Sequence, residues 1–598
     1  MSKKQDLLFD PDELEVRRVQ AQSFKRLTLR IVKHRSPLLL GILMVVLVTA
    51  CLLLEPRVIG YLIDEAILPG RLDVLKKVAL VYALLTSVRI GAAVQQGYFF
   101  EKLGQKVTFD LRVELFSKLQ SLDVPVYQRH SVGRLMTRVT HDIAAMSEMF
   151  SSGALSMLSN GLMVLGILTA LMVLNLRLGI IGCSVFPLLV MLSAYFSTRL
   201  KRAYQESRKH LSVLNAFLAE SLSGIRVLQL YTRVRKQLAE FDRLNESYAY
   251  AQTGAIRVFA LFQPTITVSA GISLALLIYF GGAEALEGRL KVGVLVTYFS
   301  LALSLFQPVR EIADKWNTFL SGMTSAERIF MILDWESEFT PQETSALRKP
   351  VRAVTPLQGH LVFENVWFSY AGQHACTQTG DSSIWALRDF SLEIRPGEKI
   401  GVVGHTGAGK STLISLLLRF YEPTQGRILL DGKDLKTYSK RSLRAAFGIV
   451  QQEAFLFSGT FEENMTFWNS MAQPQLSEYF SDLSVDSPFP ARIQEGGSNL
   501  SMGERQMMAF ARALGSDPKV WILDEATSNM DSQSESWVQK AFEKASEDRT
   551  ALLIAHRLAT VKNVDRIVVL HQGKLAEVGT HDQLLRAQGL YAQLDRLQ

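Results

Sequence analysis

Cysteine is almost absent from this chain, with three residues among 598. Cys51, Cys183 and Cys376 lie far apart in the sequence, so they supply neither a disulfide framework nor a metal-ligand spacing. Charged residues are also sparse, at 20%, and 48% of the chain is hydrophobic. This balance excludes an intrinsically disordered protein and is more apolar than most soluble enzymes of this length. The formal net charge of +8 suits a membrane surface or a polyanionic ligand.

Long charge-free runs are confined to the first half of the chain. We predict six membrane-spanning helices, because a run of roughly 18 apolar residues is long enough to cross a bilayer. The second run contains one charge, Arg89, which either pairs inside the helix bundle or attracts an anionic substrate. The predicted spans cover residues 37–54, 78–100, 149–176, 178–198, 258–283 and 292–309.

Basic residues decide the orientation of these spans. Lysine and arginine are concentrated before the first span and in the connections 101–148 and 199–257. The positive-inside rule therefore places the N-terminus, both connections and the C-terminal half in the cytoplasm, and we expect an integral protein of a bacterial inner membrane. Both connections carry apolar residues at helical spacing. They predict helices that extend into the cytoplasm and meet in short turns near Val124–Gly133 and Ser223–Arg233.

The second half has no comparable apolar run and alternates strand and helix patterns, which predicts an α/β domain. We place the transmembrane domain at residues 1–326, a polar linker at 327–355 and the α/β domain at 356–598. A soluble ATPase or a nucleic-acid-binding protein is excluded, because six apolar spans need a lipid environment.

A glycine-rich loop in the second half matches the phosphate-binding pattern G-x-x-x-x-G-K-[ST]. It follows an apolar strand and precedes a helix over residues 411–420, which is the context that the motif requires. Glycines let backbone N–H groups face phosphate oxygens, Lys410 can reach the β- and γ-phosphates, and Ser411 can ligate Mg²⁺. The predicted nucleotide-binding residues are Gly404, His405, Thr406, Gly407, Ala408, Gly409, Lys410, Ser411 and Thr412.

Two further strand ends carry candidate catalytic groups. An apolar strand that begins at Val520 ends in Asp524 and Glu525. Alternation along the strand sends these carboxylates in different directions, so Asp524 can hold Mg²⁺ through water while Glu525 orients the attacking water. His556 follows another apolar run and can contact the γ-phosphate, and a structural role is the alternative for this histidine.

With the segment Leu500-Ser501-Met502-Gly503-Glu504-Arg-Gln, these motifs resemble those of ATP-binding-cassette (ABC) exporter half-transporters of the multidrug and lipid exporter group. The resemblance covers nearly the whole chain. It implies an α-helical six-span transmembrane domain followed by an α/β P-loop NTPase (ABC ATPase) domain. The other motifs that carry it are Phe-Ser-Tyr370, Val-Gln-Gln452, Ser528-Asn-Met-Asp531, His556-Arg, Gly133 to Asp142 and Thr324 to Phe330.

The resemblance implies a role for each matching residue, with ATP and Mg²⁺ as cofactors. Tyr370 would stack on adenine. Gln452 would sense Mg²⁺ and the attacking water, and would couple them to the membrane helices. Ser501 and Gly503 would contact the γ-phosphate of ATP held by the opposite subunit, and Asp531 would lie at the dimer interface. The two cytoplasmic turns would be coupling helices.

The signature segment departs from the family pattern Leu-Ser-Gly-Gly-Gln at Met502 and Glu504. A carboxylate near a triphosphate weakens its binding unless it points away. In exporters that pair two different subunits, the weakened signature tends to lie on the chain that keeps the catalytic glutamate. We therefore expect a heterodimer with a second half-transporter, and a homodimer is the alternative. A polar insertion over residues 371–384 is a further departure.

The predicted function is ATP-driven export of a small hydrophobic or amphipathic substrate, a drug or a lipid, by alternating access within the membrane lipids. An ATP-gated channel or regulator on the same fold is an alternative, and Glu525 argues against it. An importer is disfavoured, because the membrane and ATPase parts are fused. Polar residues in the spans, among them Asn160 and Gln307, are candidates for a substrate cavity.

Overall fold

The computed structural model describes residues 11–337, 357–370, 385–465, 492–515, 517–524, 540–555 and 558–597. The chain divides into two compact units. The first comprises Met1–Ser121 and His130–Glu336, and the second comprises Leu122–Arg129 and Ser337–Gln598. The short segment Leu122–Arg129 lies between the second and third predicted spans in sequence, yet it belongs to the unit formed by the C-terminal half.

The first unit is built from helices. Among the described residues, six helical stretches are long and apolar enough to cross a membrane, which confirms the prediction of six spans: Arg35–Ile67, Leu72–Gln120, Val132–Leu174, Leu176–Ser223, Val234–Leu286 and Val292–Asp334. The helices are α1 (Pro11–Lys33), α2 (Arg35–Leu62), α3 (Leu72–Gln120), α4 (Val124–Arg129, in the second unit), α5 (Val132–Thr137), α6 (Ile143–Glu148), α7 (Leu155–Leu174), α8 (Leu176–Cys183), α9 (Phe186–Ser223), α10 (Ile225–Leu230), α11 (Val234–Leu286), α12 (Val292–Ser304) and α13 (Phe306–Asp334), with π-helical turns at Ile63–Ile67, Arg138–Asp142 and Met149–Ala154.

Several of these helices are much longer than a bilayer is thick. Helix α3 has 49 residues and α11 has 53, which at about 1.5 Å per residue gives lengths of about 75 and 80 Å. The hydrocarbon core of a bilayer is about 30 Å thick. Each helix therefore extends beyond the membrane, in agreement with the helical extensions that the sequence predicts. The short helices α4 and α10 lie in the two predicted turns.

The break between the third and fourth spans lies at Asn175, just inside the predicted span 149–176. The backbone of Asn175 leaves the helical region, with φ at −159°. Its side-chain oxygen accepts hydrogen bonds from the backbone N–H groups of Arg177 (3.0 Å) and Leu178 (3.3 Å). Asparagine is a favoured N-cap residue because it satisfies these groups. Helix α7 therefore ends at Leu174 and α8 begins at once.

The last helix of the first unit continues past residue 326, the predicted end of the transmembrane domain. Helix α13 ends at Asp334, and Ile329 and Phe330, in the segment interpreted as a polar linker, continue the buried helical face of Ala326. The helix therefore continues to Asp334 within the segment 327–355, whose assignment as a linker stays a prediction. Residues 338–356 lie outside the described part of the chain.

Helices α2 and α12 pack closely at two glycines. A Cβ atom on Gly60 would lie 2.4 Å from the carbonyl oxygen of Gly293, so a larger residue would force the helices apart. The N–H of Gly293 donates to Asp64 Oδ1 at 2.7 Å, and Thr297 Oγ1 donates to the carbonyl of Pro56 at 3.0 Å. These bonds satisfy polar groups that lipid cannot satisfy.

Arg89, the charge that interrupts the second predicted span, pairs with a glutamate of the first span. Its Nε donates to Glu55 Oε1 at 2.6 Å, and Thr86 donates to the same oxygen at 3.2 Å. Pairing inside the bundle is therefore the alternative that the structure shows. A second polar contact joins the two membrane-half motifs, because Ser325 donates to the buried Asp142 at 3.0 Å.

The described residues of the second unit form an α/β structure with two sheets, which confirms the predicted fold class. The strands are β1 (Leu361–Phe368), β2 (Leu387–Ile394), β3 (Lys399–Val403), β4 (Gln425–Leu430), β5 (Lys433–Asp434), β6 (Phe447–Val450), β7 (Val520–Asp524), β8 (Thr550–Ile554), β9 (Arg566–His571) and β10 (Lys574–Gly579). Its remaining helices are α14 (Lys410–Leu417), α15 (Lys440–Ala445), α16 (Phe461–Met465), α17 (Met502–Leu514), α18 (His581–Arg586) and α19 (Leu590–Leu597), with 3₁₀ turns at Leu435–Thr437, Glu495–Gly497 and Leu558–Val561.

The larger sheet places the candidate site at one edge. Its strand order is β10-β9-β3-β8-β7-β6, and the smaller antiparallel sheet has the order β2-β1-β4-β5. Strands β9, β3, β8, β7 and β6 run parallel to one another. Their carboxyl ends therefore share one edge, where ligands bind in open α/β sheets. The core beneath this edge includes the fully buried Trp521, stacked on Phe510 with ring centroids 5.3 Å apart.

We predict that Gly60→Ala destabilises the first unit, because its methyl group would overlap the backbone of Gly293. Overpacking of this kind lowers the free energy of unfolding by about 1–3 kcal/mol. Thermal unfolding of the purified protein in detergent micelles measures the effect. Gly91→Ala in α3 is the matched control, since a Cβ atom there has no neighbour within 4 Å. Equal melting temperatures for the two variants would contradict the prediction.

Candidate nucleotide site

The glycine-rich loop joins β3 to α14 in a backbone conformation that requires glycine. Gly407 and Gly409 have φ values of 81° and 106°, which place them in the left-handed region that residues with a Cβ atom rarely adopt. A Cβ atom on Gly409 would also lie 2.7 Å from the carbonyl oxygen of Ala386. The loop therefore keeps the open, N–H-lined shape that cradles phosphate groups at a helix N-terminus.

Lys410 lies folded across this loop. The residue is 6% exposed, and its ammonium group donates to the carbonyl oxygens of Gly404 (2.7 Å) and His405 (3.3 Å). Its charge is thus held among the backbone groups that would surround a phosphate chain. Ser411, the predicted magnesium ligand, is exposed at the start of α14. The loop fits a nucleotide triphosphate with Mg²⁺ on the chemistry of these donors.

Tyr370 lies beside the loop with almost half of its surface exposed (47%). Its hydroxyl shares a hydrogen bond of 3.2 Å with Thr412 Oγ1. The rings of Phe368 and Tyr421 meet it edge-on, with centroids 4.8 and 5.1 Å away. These contacts fix the plane of the ring beside the loop. A base can stack on such a ring without base-specific hydrogen bonds.

The carboxyl edge of the larger sheet brings together residues that are distant in sequence. Asp524 is the last residue of β7, and Gln452 follows β6, the neighbouring strand. In register, Asp524 lies opposite Ile554 of β8, two residues before His556. Glu525, Asp531 and His556 lie outside the described residues, as does the insertion 371–384, so their placement stays a prediction.

The signature segment forms the N-terminus of α17. Ser501 is the N-cap, and its Oγ accepts from the N–H of Glu504 at 3.2 Å. Glu504 Oε2 in turn accepts from the N–H of Ser501 at 2.7 Å, which completes a capping box. The carboxylate of Glu504 therefore lies at the N-terminal end of the helix, next to Ser501. Gly503 is buried in the first turn.

Two residues of the signature segment for which the sequence predicts no role hold this segment in place. Arg505 donates to the carbonyls of Gly497 (3.2 Å) and Leu500 (3.1 Å). The buried Gln506 donates to the backbone carbonyl of Gln452 at 2.6 Å, so it joins the signature helix to the segment after β6. Both residues directly follow Glu504 in the motif, which is the only sequence signal for their roles.

Tyr421 is a further residue that sequence reasoning missed. Its hydroxyl donates to the side-chain oxygen of Gln128 in α4, within the second unit. Nearby, Lys440 Nζ lies 3.1 Å from Asp123 Oδ1. Burial, followed by the proximity of Tyr370, raises the pKa of Tyr421, and Arg129 opposes this shift. The hydroxyl thus stays protonated and available as a donor at neutral pH.

Two family models match the chain. The one described as "ABC transporter transmembrane region" matches residues 38–309, and the one described as "ABC transporter" matches residues 387–528. The chain belongs to the ABC transporter family. The uncharacterized ABC transporter ATP-binding protein YknV of Bacillus subtilis (strain 168) is 34% identical over all of this chain and 98% of its own length.

Similar proteins also show that the chain resembles the exporters within this family. An ATP-dependent lipid A-core flippase of Syntrophus aciditrophicus (strain SB) is 30% identical over 90% of this chain and 88% of its own length. The structure of a bacterial Atm1-family ABC exporter with ATP bound superimposes with a TM-score of 0.74, at 26% identity, over 94% of this chain and 98% of that one. This ABC transporter is an exporter half-transporter, an integral membrane protein that dimerises with itself or with another half and is driven by ATP.

We predict that Tyr370→Ala weakens ATP binding to the purified transporter. The expected loss is about 1–3 kcal/mol, the contribution of stacking between a base and an aromatic ring. Tyr370→Phe keeps the ring and removes only the hydroxyl that meets Thr412, so we expect near-normal affinity. Equilibrium binding of ATP with Mg²⁺ measures both. If the phenylalanine variant binds as weakly as the alanine variant, the hydroxyl rather than the ring holds the nucleotide.

Proposed function

We propose that this half-transporter uses ATP to move a hydrophobic or amphipathic substrate, a drug or a lipid, out of the cytoplasm or the inner leaflet by alternating access. The distribution of basic residues supports a bacterial inner membrane with the N-terminus and the nucleotide domain in the cytoplasm. The similarity to a lipid A-core flippase supports an amphipathic substrate.

The contact that carries this proposal joins the nucleotide site to the segment between the second and third spans. Tyr370, the proposed adenine-binding residue, lies edge-on to Tyr421, whose hydroxyl donates to Gln128 of α4. Because α4 is connected in sequence to a span on each side, a shift of the nucleotide site is transmitted to both. ATP drives transport to the extent that it binds the two states of the spans with different affinity.

The hydrolytic step is assigned to residues at the carboxyl edge of the larger sheet. Ser411 and Asp524 hold Mg²⁺, and Gln452 senses the metal and the attacking water. Glu525 orients and polarises this water, and His556 contacts the γ-phosphate. The parallel register of β3, β8, β7 and β6 supports this assignment, because these residues follow or end neighbouring strands.

We predict that Glu525→Gln lowers steady-state ATP hydrolysis by about 10²–10⁴-fold, the contribution of a general base, when the transporter is assembled in nanodiscs with its partner half. ATP binding should persist, because the phosphate loop and Lys410 are unchanged. Glu547→Gln, which removes an exposed carboxylate elsewhere in the same domain, serves as the control. Hydrolysis at the normal rate in the Glu525 variant would show that another group activates the water.

A heterodimer with one weakened ATP site is the assembly that the signature favours. Ser501 and Gly503 would face the γ-phosphate of ATP held by the second half-transporter, with Asp531 at the same interface. The capping box holds the carboxylate of Glu504 2.7 Å from the backbone nitrogen of Ser501. The negative charge of Glu504 interacts with the positive end of the helix dipole and repels a phosphate group at the same place.

We predict that the chain co-purifies with a different half-transporter and has little ATPase activity alone. Within that complex, Glu504→Gln should strengthen ATP binding at the weakened site by about twofold to fivefold, the size of one charge–dipole interaction. Glutamine is the informative substitution, because it preserves the capping box and removes only the charge. Met502→Gly restores the family residue at the other position where the signature departs from the pattern, without changing the charge. Full ATPase activity from the chain as a symmetric dimer would overturn the assignment.

A further inference from the structure

Three polar side chains meet between α7 and α13 in the first unit. Asn160 Nδ2 donates to Glu311 Oε2 at 3.0 Å, and Gln307 Nε2 donates to Glu311 Oε1 at 3.0 Å. Asn160 is 8% exposed, Glu311 is half-buried and Gln307 is exposed. The carboxylate is thus held by one neutral amide on each oxygen, and one side of the cluster stays accessible.

Further polar groups flank this cluster. Ser159, the neighbour of Asn160 on α7, accepts a hydrogen bond of 3.0 Å from Gln96 of α3. Three different helices therefore contribute amide, hydroxyl and carboxyl groups around one turn of α7, within the candidate span Val132–Leu174. A layer of this kind is costly among apolar helices, and polar groups retained there are commonly functional.

The charge of Glu311 has no cationic partner among the residues that the structure describes. Among the residues that the structure describes, no Lys, Arg or His nitrogen lies within 4.0 Å of its carboxylate. The neighbouring Arg310 pairs instead with Asp314, at 3.7 Å. Glu55 and Glu284 behave differently, because they pair with Arg89 at 2.6 Å and with Arg177 at 3.2 Å. Amide hydrogen bonds orient the carboxylate of Glu311, and no described residue supplies a positive charge to pair with it.

We propose that Glu311, oriented by Asn160 and Gln307, binds the positive charge of a cationic amphiphile. The inference rests on the proposed export function and narrows its substrate class. A ligand cation supplies the countercharge that the described residues lack, and the apolar run 292–309 that precedes Glu311 suits a hydrophobic ligand body. The opposite preference, for an anion, would depend on Arg89, which is already paired with Glu55.

Two probes of nearly equal size and opposite charge test this subsite, tetraphenylphosphonium and tetraphenylborate. Direct binding of each is measured on the purified full-length transporter, with its partner half where one co-purifies, in nanodiscs of zwitterionic lipid without ATP. We expect tighter binding of the cation than of the anion. Glu311→Gln should weaken tetraphenylphosphonium binding by at least about tenfold, the scale of one charge-assisted contact, and should not weaken tetraphenylborate binding.

The matched control is Asp314→Asn, which removes one negative charge a turn away on the same helix and should leave the affinity for the cation unchanged. Glu311→Asp keeps the charge and should retain more cation affinity than the glutamine variant, which separates the role of the charge from an effect on folding. Equal cation affinity in the wild type and Glu311→Gln, or a preference of the wild type for the anion, would overturn the proposal.

The same preparation separates this proposal from the export function. If binding of tetraphenylphosphonium depends on Glu311 but ATP drives no uptake of the cation into inside-out vesicles, the subsite stands and the export function fails. If ATP drives uptake of other amphiphiles and Glu311→Gln binds the cation normally, the export function stands and the subsite fails.

Discussion

The shared direction of five strands is the constraint on which the chemistry of the nucleotide unit depends. Because β3, β6, β7 and β8 end at one edge, the phosphate loop, Gln452 and Asp524 converge there although they are far apart in the chain. The loop itself can form only where glycines adopt left-handed backbone angles. Gln506 then attaches the signature helix to the same edge through the carbonyl of Gln452. Each of these contacts depends on the parallel pairing of the strands in the larger sheet.

The membrane half obeys a different rule, because lipid satisfies neither charges nor hydrogen bonds. Asp64 therefore takes the N–H of Gly293, and Arg89 pairs with Glu55. Such contacts tie helices together at little cost to the bundle, since both partners are satisfied. Glu311 is the informative departure, because its described partners donate hydrogen bonds to its carboxylate but carry no positive charge. Because lipid does not stabilise a charge, the charge of Glu311 points to a ligand cation as its partner.

Structural features that depend on a short stretch of sequence could be predicted. Contacts between residues that are distant in the sequence could not. Apolar runs predicted six spans, and the spacing of Gly404 to Ser411 predicted the loop and its helix. The partner of Arg89 and the contact between Tyr421 and Gln128, 293 residues apart, depend on the tertiary fold and leave no local signal. The continuation of α13 to Asp334 left no clear signal, because a polar helix face and a polar linker have similar composition. The roles of Glu525, Asp531 and His556 stay predictions.

The assignment of Leu122–Arg129 to the second unit means that the two units are interleaved along the chain. No single cut of the backbone separates them, and a C-terminal fragment released at the linker would lose the surface that Tyr421 and Lys440 bind. The interleaving also affects the order in which the second unit forms during synthesis on the ribosome. Helix α4 emerges long before β3 or β7 exists, so the unit to which it belongs closes only when the last third of the polypeptide has been made.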